Sequence, residues 1–226
     1  MTNPVRSDLS RRRFVGTAAG VVGGTVVWGV ASSGTAVAAP KPSETKPSNW
    51  SGGKTANGWP VVKSVPAQLI EGSSVSVAVL DGDVATILLH VARRFHYEVD
   101  SLRQGEVTGH SGDRKVAQPY ESNHLSGTAI AIRPQAYPTG AQGGLYPHEV
   151  VVIRDILTEL DGTVAWGGDE KTAKESHFHI ALKPGHPKIK NVARTIREWN
   201  EAPGKGAGTV DAFEPSRRRA AKAFTR

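Results

Sequence analysis

Two short segments hold the residue types that do chemistry. The first is Ser122-Asn123-His124-Leu125-Ser126-Gly127-Thr128-Ala129-Ile130-Ala131. The second is Trp166-Gly167-Gly168-Asp169, followed closely by Glu175-Ser176-His177-Phe178-His179. Imidazole is a common metal ligand and a general acid or base near neutral pH. His177 and His179 are two apart in a segment that reads as a strand, so both side chains leave the same face. Other chemistries find little support. Gly143-Gly144 and Gly167-Gly168 lack the Lys-Ser/Thr that a phosphate-binding loop needs at the start of its helix. Ser126 lacks the G-x-S-x-G elbow of a serine hydrolase.

In these segments the chain resembles the zinc peptidases that include bacterial and phage D-Ala-D-Ala carboxypeptidases and L-alanyl-D-glutamate endopeptidases (VanY-like, LAS-type peptidases). Those enzymes carry S-x-H-x-x-G-x-A-x-D, then W-G-G-D and an acidic residue shortly before H-F. The similarity runs from Asn57-Gly58-Trp59-Pro60 to Leu182. The resemblance implies a small α+β fold around an antiparallel sheet, with peptidoglycan stem peptides as substrate. It makes His124 the first zinc ligand, His177 the last, Ser122 a polar supporting group that meets substrate, and Arg114 a binder of a substrate carboxylate or oxyanion. Asp169 is expected to be structural, closing its loop onto the following strand.

Two positions depart from that pattern. The family's aspartate ligand falls on Ala131, which has no lone pair, and its general base falls on Lys174, an ammonium that repels a metal. A three-histidine set of His124, His177 and His179 would replace the lost ligand, since zinc enzymes use such sets. Glu175, one residue from the expected base, would then serve as base. Two functions stay open: an exported stem-peptide peptidase with an altered zinc site, or a non-catalytic relative that binds the cell wall.

The elements around these segments read as one domain between two loose ends. Val75, Val77 and Val79 alternate as an edge strand. Val84, Leu88, Val91, Phe95, Val99 and Leu102 recur at helical spacing, with His90 and His96 expected on the surface or flank. Thr128–Arg133 reads as a strand. Pro147 opens a second helix that stops at Gly162. Strands over Thr163–Trp166 and His177–Leu182 and a helix over Ile189–Trp199 complete the domain. Helices and strands do not alternate as parallel crossovers require, so the class is α+β, a small antiparallel sheet flanked by helices.

The ends carry different signals. Arg11 and Arg12 lie in Ser10-Arg11-Arg12-Arg13-Phe14-Val15, ahead of an apolar run to Val30 and the small-residue triplet Ala36-Val37-Ala38. That is the pattern of a twin-arginine signal peptide over residues 1–38, which implies the twin-arginine translocase as a partner and a secreted or cell-wall location. Residues 39–58 read as a Pro/Ser/Gly-rich linker, 59–200 as the peptidase-like domain and 201–226 as a flexible basic tail. The formal charge is +7, yet residues 39–214 carry 19 basic against 20 acidic side chains. The excess lies in the signal and the tail, so a nucleic-acid partner is not expected. A basic tail suits anionic wall polymers or lipid headgroups instead. There is no cysteine to staple the exported fold.

Overall fold

The computed structural model describes residues 46–202, 204–205 and 210–224. The signal motif with Arg11 and Arg12 lies outside the described residues. In chain order the elements are β1 (Ser48–Asn49), β2 (Ala67–Leu69), β3 (Ser76–Ala78), α1 (Asp83–Glu98), β4 (Val107–Thr108), β5 (Lys115–Val116), a 3-10 helix (Pro119–Ser126), β6 (Ala129–Ile132), α2 (Pro147–Glu159), β7 (Val164–Trp166), β8 (His177–Ile180), α3 (Pro187–Glu201) and α4 (Pro215–Ala223). The main sheet has four antiparallel strands in the order β4-β6-β8-β7, and β2–β3 and β1–β5 form two small antiparallel pairs. The α+β class with an antiparallel sheet is therefore observed. No described helix is long and apolar enough to cross a membrane.

Strand alternation explains how the sheet is used. Ile130 and Ile132 of β6, Phe178 and Ile180 of β8, and Val164 and Trp166 of β7 belong to the hydrophobic core. They pack with Val84, Leu88, Val91 and Phe95 of α1, Ile153 and Ile156 of α2, and Ile189 and Ile196 of α3. With a period of two, Ala129, Ala131, His177 and His179 must project from the other face. Proline at the first turn starts α2 and α3. Helix α1 stops at Glu98, short of the expected Leu102, because the His96 ring accepts from the Leu102 amide and turns the chain away.

Three expectations need correction. Residues 46–58 are not a linker: Ser48 and Asn49 pair with Val116 and Lys115. Asn57 Nδ2 donates to Thr128 Oγ1 and to the Ile180 carbonyl, 2.8 and 2.9 Å away. The polar residues that made this stretch resemble a linker are the ones that tie it to the domain. Nor is the stretch from Val210 to Phe224 a loose tail, because α4 packs on α2 and buries Ala212 and Ala221. Arg217 of α4 reaches both Asp155 oxygens and Glu159, at 2.6–2.8 Å. Finally, His90 is buried rather than on a flank, 2.7 Å from Glu159.

Those last contacts belong to one buried ionic cluster. Arg94 is fully buried and pairs with Glu98 at 2.5 Å, Asp155 at 2.8 Å and Glu159 at 3.3 Å. Burial pushes the Glu159 carboxyl up, but the His90 hydrogen bond and the Arg94 and Arg217 guanidinium groups outweigh it and bring it down to about 2. The cluster joins α1, α2 and α4, away from the histidine face of the sheet.

Candidate functional site

His124 is delivered by the 3-10 helix. Glu121 starts that helix by accepting from the Ala117 and Gln118 amides, at 2.6 and 3.1 Å. Gly127 ends it in the left-handed region, φ 68°. A Cβ at Gly127 would also stand 2.9 Å from the Leu80 nitrogen and 3.0 Å from Val65, so both conformation and space demand glycine. Gly167 has a comparable role beside β8: a Cβ there would meet the Lys174 carbonyl at 2.4 Å and the His177 Cβ at 3.0 Å. The two glycine motifs thus let backbone close around the histidines.

The three imidazoles come together on one side of the sheet. The His124 and His177 ring centroids are 5.1 Å apart, and so are those of His177 and His179. Tyr120 packs against both strand histidines, 4.9 Å from His177 and stacked 6.4 Å from His179. His124 Nδ1 donates to the Gly109 carbonyl at 2.7 Å, which leaves Nε2 as the acceptor or ligand atom. His177 is fully buried, and neither ring nitrogen has a hydrogen-bond partner among the described residues. Across the β6–β8 ladder Ala131 stands directly opposite His177, and Ala129 opposite His179.

Burial holds both deep histidines neutral. It pushes His124 down to about 4, with the Gly109 carbonyl opposing and the Lys174 charge assisting. It pushes His177 well below the usual histidine range, helped by His124, His179 and Lys174. An unfolded histidine protonates near pH 6.5. As pH falls from there towards about 4, the unfolded chain binds protons that the folded His124 and His177 refuse, so stability must drop. The expected loss is up to about 1.4 kcal/mol per pH unit for each histidine. Thermal unfolding of the zinc-free protein from pH 7 to 5 should show it, and His177→Gln should flatten the slope. An identical slope in that variant would contradict the assignment.

The other expected site residues are placed differently. Glu175 is buried, and its carboxylate accepts from the Gly143, Gly144 and Leu145 amides at 2.7, 2.8 and 3.2 Å. It pins that loop. Arg114 donates to the Trp50 and Gly52 carbonyls, at 2.9 and 3.2 Å, and so clamps the segment of residues 50–52. Ser122 is fully buried, accepting from the Ala56 amide and donating to the Pro119 carbonyl, so it supports the 3-10 helix. Asp169 is structural, but it pairs with Arg154 of α2, whose guanidinium lies 5.0 Å above the Trp166 ring. Lys174 pairs with Glu121 at 2.5 Å.

These residues depart from the ligand set that the resemblance implies. A catalytic zinc site takes three protein ligands. His124 and His177 offer suitable nitrogens, but a methyl group occupies position 131 and an ammonium lies close by. Among the described residues no group of three or more His, Cys, Asp or Glu is arranged to hold a metal ion, although the three imidazoles of the expected set are neighbours. Tyr120, Glu121 and Lys171 were not singled out by the sequence motifs, and only the adjacency of Tyr120 and Glu121 to Ser122 hints at them. Beside His179 a groove of about 320 Å³ is lined by Tyr120, Asn123, Glu170, Lys171 and Thr172. No protein-family model, curated protein or solved structure matches the chain.

Proposed function

We propose that the protein is an exported relative of the bacterial zinc stem-peptide peptidases that binds peptidoglycan stem peptides without cutting them. The observation that carries this reading is the pairing of Ala131 with His177. The position facing the deepest histidine, where the peptidase pattern has its anionic ligand, holds a methyl group. Lys174, at the position of the base, is engaged by Glu121 and lowers the proton affinity of both deep histidines. The groove beside His179 offers an ammonium (Lys171), a carboxylate (Glu170) and the aromatic Tyr120. That mixture suits a short peptide bearing both charges. Export by the twin-arginine translocase and residence at the cell wall are part of the proposal, resting on Arg11, Arg12 and the run behind them.

A second reading, an altered zinc peptidase, draws on the two His177 nitrogens that lack a partner among the described residues and on the Nε2 lone pair that the Gly109 bond leaves to His124. One experiment separates the two. The full chain is titrated with a stem pentapeptide ending in D-Ala-D-Ala, with and without zinc, reading binding by calorimetry and cleavage by mass spectrometry. The expected result is saturable binding, weakened at least fivefold by Lys171→Glu, with no peptide cut. Absence of binding would sink the wall-peptide reading. Zinc-dependent cleavage lost in His124→Ala would establish the second.

A further inference from the structure

Beyond the Arg217 contacts that tie α4 to the buried ionic cluster, α4 and the segment before it form a second surface with α2. Helix α4 divides its basic residues between two faces. Arg217 turns towards α2 and is consumed by Asp155 and Glu159. Arg218, Arg219 and Lys222 are exposed, and no described carboxylate pairs with any of them. Arg218 and Lys222 are four apart and so share one helix face. These three cations rim a groove of about 530 Å³ whose apolar lining includes Val150 and Val151 of α2 and Phe213 ahead of α4. Phe213 is 47% exposed, one of four exposed large hydrophobic side chains among the described residues.

We infer that this groove is a docking site for an anionic lipid surface, with Phe213 and the α2 valines entering the headgroup–acyl boundary and Arg218, Arg219 and Lys222 on the lipid phosphates. Charge complementarity identifies the phosphate, and the apolar floor separates a lipid from a hydrophilic polyanion. A wall polymer would be served by the cations alone and would gain nothing from an exposed phenylalanine above an apolar trough. Binding of a surface element to a membrane strengthens with buried apolar area and with attraction to anionic lipids, and this surface places both within one helix length. Arg217 makes the arrangement rigid, because its bonds to Asp155 and Glu159 fix the rotation of α4 and hence which residues face outward.

Co-sedimentation of the full chain with vesicles tests the inference. One set is pure phosphatidylcholine and the other contains phosphatidylglycerol. The protein should favour the anionic vesicles, and added salt should weaken the binding. The triple change Arg218→Gln, Arg219→Gln, Lys222→Gln should reduce that affinity at least tenfold, consistent with the attraction each basic residue feels near such a surface. Phe213→Ser should reduce it severalfold while keeping every charge. All four positions are exposed, so unchanged melting temperatures are expected, and single Gln variants serve if the triple variant is destabilised. Undiminished binding in the charge variants would overturn the proposal. So would a Phe213→Ser protein that binds as well as the wild type, or a soluble polyphosphate that competes fully, since either would leave plain polyanion attraction.

Discussion

Ala131→Asp combined with Lys174→Asp should give a protein whose stability rises strongly with zinc, well beyond any response of the wild type. Residue 131 faces His177 across the ladder, and opposed side chains in such a pair have Cβ atoms about 4.5–5.5 Å apart. A carboxylate there would complete a set with His177 and with the Nε2 that His124 leaves available. Without metal the variant should be less stable than the wild type, because Ala131 is only 2% exposed and a buried charge is costly. With zinc at a hundred times its dissociation constant, binding should return about 2.7 kcal/mol. Thermal melts with and without zinc read this directly, and Ala131→Asp alone separates the ligand from the loss of the Lys174 charge. A folded double variant whose melting temperature ignores zinc would show that His124, His177 and position 131 do not form the site described.

Arg94→Ala should cost about 3–5 kcal/mol, the loss typical when one member of a buried ion pair is removed and its partners stay buried. Arg94 is fully buried among Glu98, Asp155 and Glu159, whose side chains are only 11%, 3% and 8% exposed. Domains are stable by only about 5–15 kcal/mol, so the variant should sit near the edge of folding. Denaturant unfolding measures it. Arg94→Lys should lose less, keeping the charge but not the two-pronged contact with Glu98. A loss below about 1 kcal/mol in Arg94→Ala would mean that the carboxylates find other partners and that the cluster is not a keystone.

The sheet and its histidines were legible in the sequence because their signals are local. Alternation of Ile130 and Ile132 with Ala129 and Ala131 sets the strand and its two faces, and the spacing of His177 and His179 puts both on one of them. The roles of Glu175 and Arg114 were not legible, since both are fixed by main-chain groups far away in the chain. Glu175 meets the amides of residues 143–145, and Arg114 meets the carbonyls of residues 50 and 52. Motif position alone assigns such residues to substrate when the fold has already used them. Composition misread both ends for a related reason. Ser48, Asn49 and Asn57 resemble linker residues until β5 and Ile180 supply their partners. The run Arg217-Arg218-Arg219 resembles a solvated tail until Asp155 and Glu159 take up its first member. The buried ionic cluster left no sequence signal, because five of its members lie on α1 and α2 at spacings that also suit an exposed helix face.

The absence of an anionic ligand opposite His177 is the central claim, and the stem-peptide assay on the wild-type chain tests it most directly. Zinc-supplemented protein, mixed with pentapeptide and followed by mass spectrometry over many hours, should leave the peptide intact while calorimetry records its binding. Release of D-alanine or of any shorter stem peptide, dependent on zinc and abolished by His124→Ala, would contradict that account.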